Sequence, residues 1–383
     1  MNLQYFFSSA TGDIPLGPSE LALPFKIALS EVHPFLTLQD YFDAIAAFLC
    51  MDEGKRLHAI LERELHRPLG PGRILRVRLF SEKHGVLYHV ARAEIACDAG
   101  SVALAVSTAV TPEAKAHLDR EYETLRGLEK AFPFAFLPKV FCSGHVRKHT
   151  PGGEADLSFL LAQWLEDYHE WHLAPDRDGG GHGICIWDQT RGRRFASPRE
   201  TRDIFRQASK ILTLYYDTRS YCQIYPWHHA AGDFVVKNNE GVIDVKLTTA
   251  RRYAPFMNFI EDEKINPLVA LIYFFLDLTI RMRLDKVDGI RDLAWAGDHS
   301  IEAATEGFFE ALEIMTAEKR FSLGGAVDVI GFLKSFTGEE IHTLFQPLLG
   351  YYREENLAEF SVIRSHLQDH IMELHQVIQR FHK

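Results

Sequence analysis

Between residues 37 and 66, apolar positions recur at intervals of three and four: Leu38, Tyr41, Phe42, Ile45, Phe48, Leu49, Leu57, Ile60 and Leu61. That spacing predicts helix, and Pro68, Gly70, Pro71 and Gly72 predict a break after it. From Arg73 the period changes to two. Apolar runs over residues 74–80, 86–96 and 102–110, separated by turn formers at 82–85 and 98–100, predict three antiparallel strands. A helix is expected over residues 112–132, with Pro112 and Glu113 in its first turn. Strands over 137–146 and 157–165 follow, joined by a loop at 149–153.

Beyond residue 165 the chain carries an aromatic, histidine-rich segment (166–172), a loop (176–183) and a helix whose stripe is Ile204, Ala208, Ile211, Leu212 and Tyr215. A strand-turn-strand occupies residues 226–249. From 266 onward the pattern is helical, including 268–284, 301–315, 326–336 and 360–381. This order predicts an α+β chain in three parts. They are a helical N-terminal extension (1–72), a small β-rich lobe (73–165) and a larger helical lobe (166–383) holding the hairpin.

The chain has 383 residues and a net charge of -10, with no run of Lys and Arg long enough to track a phosphate backbone, which argues against nucleic acid as the main partner. Cys50, Cys97, Cys142, Cys185 and Cys222 are scattered and never spaced as CxxC, so neither a disulfide framework nor a cysteine zinc site is expected. The N-terminus lacks the pattern of a secretory signal, and the apolar stretch at 267–276 is broken by Asp277 before it could span a bilayer. A soluble, cytoplasmic protein without a membrane partner is the expectation.

The chemistry concentrates in the hairpin, where Asp233 precedes the first strand and Asp244 sits between Ile243 and Val245 in the second. A turn centred on Asn238-Asn239 would bring both carboxylates to one end of the ribbon. Held that close they repel unless a cation lies between them, which points to Mg²⁺. Asp233 after Gly232 also suits a turn residue that caps its own backbone, whereas a carboxylate in an apolar strand is costly without a partner. Lys246 shares a strand face with Asp244.

At this hairpin the chain resembles the protein-kinase-like fold, in its aminoglycoside and choline phosphotransferase branch. The order β-β-β-α-β-β, a connecting segment at Gln163 to Asp167, a helix and then a metal-binding hairpin is the order of that family. The resemblance implies a bilobal fold that binds ATP and Mg²⁺ and transfers phosphate to a small hydroxylated substrate. Asp233 then stands at the metal-binding Asn position and Asp244 at the strand Asp that holds Mg²⁺. His228, five residues before Asp233, takes the place of the base Asp, and an imidazole can accept a hydroxyl proton near neutral pH. Glu121 matches the inward Glu of the small-lobe helix, and Gln163, Trp164 and Leu165 fall in the nucleotide-contacting segment. The phosphate-pairing Lys is absent near Ala105, so Lys246 or Lys83 would supply the cation. Lys83-His84-Gly85 stands in place of a Gly-rich loop, and Lys246 replaces the Gly that closes the Asp-Phe-Gly motif.

These departures motivate an alternative, a catalytically impaired kinase-like module that binds nucleotide or a partner. A third reading is a metal-dependent hydrolase using His228 or His229 with both Asp residues and a transition metal. Three other clusters read more simply. The glycines at 179–183 lack the Lys-Ser/Thr of a phosphate loop and fit a surface loop. Arg191, Arg193 and Arg194 suit a solvated face or an anion site. His169 and His172 are three apart where the helical zinc motif needs four, and fit a packed junction.

Overall fold

The computed structural model describes residues 2–9, 12–27, 31–70, 74–85, 87–175, 181–188, 192–228, 232–256, 265–289 and 291–382. The chain is α+β and divides into two compact units.

The first unit comprises Met1–Ala131 and Pro138–Glu166. Its strands are β1 (Asn2–Ser9), β2 (Gly12–Pro15), β3 (Pro24–Lys26), β4 (Val32–Thr37), β5 (Ile74–His84), β6 (His89–Cys97), β7 (Gly100–Ala109), β8 (Val140–Thr150) and β9 (Gly153–Gln163). Its helices are α1 (Pro18–Leu21), α2 (Leu38–Leu49), α3 (Lys55–Leu65) and α4 (Pro112–Ala131). The expected order of five strands with a helix after the third is present in β5-β6-β7-α4-β8-β9. A seven-stranded sheet runs β2-β1-β5-β6-β7-β9-β8, antiparallel except where β1 lies parallel to β5.

Burial alternates along β6, which sends Ala91, Ala93, Ile95 and Cys97 into a core shared with Tyr41, Phe42, Ile45 and Phe48 of α2 and with Leu57, Ile60 and Leu61 of α3. The helices therefore bury their apolar stripe against the sheet. Thr37 and Asp40 cap α2 reciprocally, with Asp40 N donating to Thr37 Oγ1 at 3.2 Å and Thr37 N to Asp40 Oδ2 at 3.0 Å.

Residues 1–72 thus depart from a purely helical extension. β1 hydrogen-bonds along the edge of β5, Tyr5 stacks on Phe42 at 4.8 Å and Phe6 on Phe80 at 4.7 Å. The helical stretch 37–66 is two helices, because Asp52, Glu53 and Gly54 adopt positive φ and turn the chain between α2 and α3. The turn expected at 82–85 is displaced as well, since β5 continues through His84.

The second unit comprises Phe132–Leu137, Asp167–Asp188 and Gly192–Lys383. It begins with β10 (His169–Pro175), β11 (His182–Asp188), β12 (Gly192–Phe195) and α5 (Pro198–Leu214). Four short strands follow, β13 (Cys222–Ile224), β14 (Phe234–Asn239), β15 (Val242–Leu247) and β16 (Tyr253–Pro255). Then come α6 (Pro267–Arg281), β17 (Leu284–Lys286), β18 (Leu293–Trp295), α7 (His299–Ala317), α8 (Ala326–Lys334), α9 (Gly338–Glu355) and α10 (Leu357–Arg380). A five-stranded sheet runs β12-β11-β10-β14-β15, so this unit is less purely helical than expected.

The histidine-rich segment is the central strand β10, buried on both faces from Trp171 to Ala174. Residues 176–180 of the expected glycine loop, and Arg191 and His229, lie outside the described residues. Gly307 lets α5 and α7 meet closely, since a Cβ there would fall 2.0 Å from the Arg206 carbonyl oxygen. No helix among the described residues is long and apolar enough to cross a membrane.

Candidate functional site

The hairpin turn falls on Glu240 and Gly241, at φ 53° and 91°, and not on Asn238-Asn239. A two-residue turn matching the twist of its strands needs left-handed φ at both central positions, and glycine supplies the second at no steric cost. Asn238 Oδ1 accepts from Gly241 N at 2.8 Å and fixes that choice.

The register that results pairs Phe234 with Leu247 and Lys237 with Asp244. Asp233 lies next to Thr248, whose N donates to the Asp233 carbonyl at 2.7 Å. The two carboxylates are therefore four residues apart along the ribbon, roughly 13 Å at the rise of an antiparallel strand. This corrects the expectation that they share one end.

Each carboxylate has its own partners. Asp233 is 1% exposed, and Arg251 grips it through two parallel bonds, Nη1 to Oδ2 at 2.6 Å and Nη2 to Oδ1 at 2.5 Å. The backbone N of His228 adds a third donor to Oδ2 at 2.9 Å. Asp244 is half-buried and accepts from the Tyr168 hydroxyl at 2.5 Å. Burial, reinforced by Asp244, raises the Tyr168 pKa, so the phenol stays a donor. The donor set, one closed carboxylate and one distant phenol-bound carboxylate, does not fit a shared Mg²⁺. Among the described residues no group of three or more His, Cys, Asp or Glu side chains could hold a metal ion.

The His228 imidazole lies with Nε2 4.0 Å from Glu359 Oε1. Burial lowers its pKa, against the opposing pull of Glu359 and Asp233, which favours the neutral ring at pH 7. Glu359 belongs to a network that the sequence did not single out. Arg281 reaches Asp277 Oδ1 from Nε at 2.8 Å, Glu355 Oε2 from Nη2 at 3.2 Å and Glu359 Oε2 from Nη1 at 3.5 Å. Its guanidinium lies 4.7 Å from the Tyr225 ring and 4.8 Å from the Tyr352 ring, and the Tyr352 hydroxyl donates to Asp277 at 2.8 Å. A signal was available, because Asp277 and Arg281 stand four apart in an otherwise apolar helix, where unpaired charge is costly.

Of the two expected phosphate-binding cations, Lys246 is engaged elsewhere. Lys246 Nζ donates to the Ala135 carbonyl at 2.6 Å and lies 5.5 Å from the Phe136 ring. Lys83 sits in β5 opposite Val90, and its side chain lies outside the described residues. Ala105 has Arg92 as its cross-strand neighbour. That guanidinium is held by Glu82 at 2.6 Å, Asp13 at 3.0 Å and Glu94, and stacks on Phe80 at 3.9 Å.

Glu121 is buried on the same face of α4 as Leu118 and Leu125. Gln163 ends β9, where its N donates to the Lys139 carbonyl at 2.8 Å, and Trp164 and Leu165 follow half-buried. His169 and His172 pair separately, with Asp188 at 3.7 Å and Glu170 at 3.5 Å. Arg193 lies over the Trp187 ring at 4.2 Å, and Arg194 pairs with Glu200 at 2.7 Å. No protein-family model matches the chain, and no curated protein matches it.

Proposed function

We propose that this chain is a kinase-like binding module that does not transfer phosphate, with the first unit in the role of the small lobe and the second in that of the large lobe. The observation that carries the reading is the hairpin register, which separates Asp233 from Asp244. Phosphoryl transfer depends on positioned metal and cations that neutralise developing charge. Here Asp233 is neutralised by Arg251, Lys246 is spent on a backbone carbonyl and Arg92 is surrounded by carboxylates. Any nucleotide would bind without Mg²⁺.

Calorimetric titration with ATP, with and without Mg²⁺, alongside an assay for ATP hydrolysis, tests this. The expected outcome is no turnover and no Mg²⁺-dependent heat, unchanged in Asp244→Asn. Mg²⁺-dependent turnover that disappears in Asp233→Asn would sink the proposal.

A phosphotransferase acting on a small hydroxylated substrate with ATP and Mg²⁺ is the second reading. One observation favours it: His228 keeps 37% of its side chain open, and its lowered pKa leaves a neutral ring able to accept a proton.

A further inference from the structure

Four strands lie at the ends of the two larger sheets among the described residues, and three of them are protected. β2 and β12 are only four residues long, and β2 ends in Pro15, which has no N–H to offer. β15 is closed by hydrogen bonds. Gln207 Nε2 donates to the Ile243 carbonyl at 2.6 Å, Val245 N to Gln207 Oε1 at 3.2 Å and Leu247 N to the Phe136 carbonyl at 2.9 Å.

The fourth, β8, is eleven residues long. Its hairpin with β9 turns on Pro151 and Gly152, so Thr150 faces Gly153 and the even-numbered residues of β8 bond to β9. The odd-numbered residues turn their N–H and C=O groups outward. The Ser143 carbonyl shows this parity, since it accepts from Arg56 Nη1 at 3.5 Å, from outside the sheet. Beyond it, the backbone groups of His145, Arg147 and His149 meet no backbone partner outside β9 among the described residues, and all three residues are exposed.

The side chains select what fits there. His145 and His149 lean toward β9, with Nδ1 2.8 Å from Ser158 Oγ and 2.8 Å from Glu154 Oε1. Arg147, between them, forms no ion pair among the described residues, and β8 holds no carboxylate. Val146 is half-buried on the opposite face, against the core. A second copy of β8 paired antiparallel about these residues would set Arg147 beside Arg147, a like-charge contact that destabilises a strand pair.

We propose that β8 is a docking edge for an extended, acidic segment of a partner protein, which adds to the sheet as an antiparallel strand. The segment bonds to the outward backbone groups of His145, Arg147 and His149, sets a carboxylate opposite Arg147 and covers Val146 with an apolar neighbour. This edge is independent of the hairpin and needs neither nucleotide nor metal, so a chain that turned over ATP would leave it standing.

The probe is a labelled peptide of about seven residues alternating Glu with Val, long enough to span the free edge. It is added to the full chain and followed by fluorescence anisotropy and by amide hydrogen exchange. Anisotropy should rise, and the amides of His145, Arg147 and His149 should exchange more slowly. The same peptide N-methylated at its Glu residues should not bind, because the N–H groups that face β8 are gone. Arg147→Glu should weaken the Glu peptide about tenfold and favour a version with Lys in place of Glu. Three amides that stay unprotected with the Glu peptide overturn the proposal, as does binding that survives N-methylation. Protection that appears without peptide and grows with protein concentration also overturns it, since a second copy then fills the edge.

Discussion

Each unit contains a guanidinium set among three carboxylates, and the two clusters differ chiefly in how far they lie from water. In the first unit Arg92 meets Glu82, Glu94 and Asp13, with its side chain 15% exposed, Asp13 41% exposed and Glu82 buried at 5%. In the second unit Arg281 meets Asp277, Glu355 and Glu359 with only 6% of its side chain exposed, clasped between two tyrosine rings. The stoichiometry of charge is the same, but the cost of disturbing it is not. Near water, a carboxylate that loses its partner is rehydrated. In the interior it stays stranded, and the loss is several times larger.

The sharpest way to break this comparison is Arg281→Met. It should destabilise the second unit by about 3–5 kcal/mol, because Asp277 is left buried without its cation. Chemical denaturation would measure it, and a loss under about 1 kcal/mol would mean the cluster behaves like an exposed pair.

Acid should separate the units next. In the second, burial lowers the pKa of His228, His299, His366 and, most strongly, His370, which is packed against Thr279, Phe345 and Trp295 with the Arg283 charge nearby. In the first, burial lowers that of His33. A histidine whose folded pKa lies below its unfolded value is favoured neutral by folding. Its contribution is therefore complete above about pH 6.5 and is lost as pH falls through the folded value. Asp277, whose carboxyl burial raises, works in the opposite sense and offsets part of the loss. Unfolding monitored from pH 7 downward should show the second unit failing first, and His370→Gln should flatten that decline. The smallest effect is expected from Arg92→Met, on the order of 1 kcal/mol and reduced by added salt, since Asp13 can turn to solvent and only Glu82 among its partners is deeply buried.

Much of the first unit was legible in the sequence because its strands alternate cleanly and α4 opens with Pro112 and Glu113. β1 was not, since its partner residues lie more than seventy positions away, Asn2 against Arg76. β10 was hidden for another reason. A central strand buried on both faces loses its alternation, and its His and Glu residues disguise the apolar run. In the hairpin, both carboxylates and both strands could be read, but the turn could not. Asn238-Asn239 and Glu240-Gly241 are each acceptable locally, and the left-handed requirement that decides for glycine also decides which residues face each other. The Asp233–Arg251 pair depends on that outcome, so no local pattern announced it. Asp277 and Arg281 are the opposite case, where the spacing itself held the information.

The parallel pairing of β1 with β5 also sets an order of events during synthesis. β1 can pair locally with β2, but its other edge has no partner until residues 76–81 have been made. Until then Tyr5, Phe6 and Phe7 travel as a short apolar segment next to helices that can form locally. The β1–β2 pair thus waits on a strand more than sixty positions later before it joins the sheet.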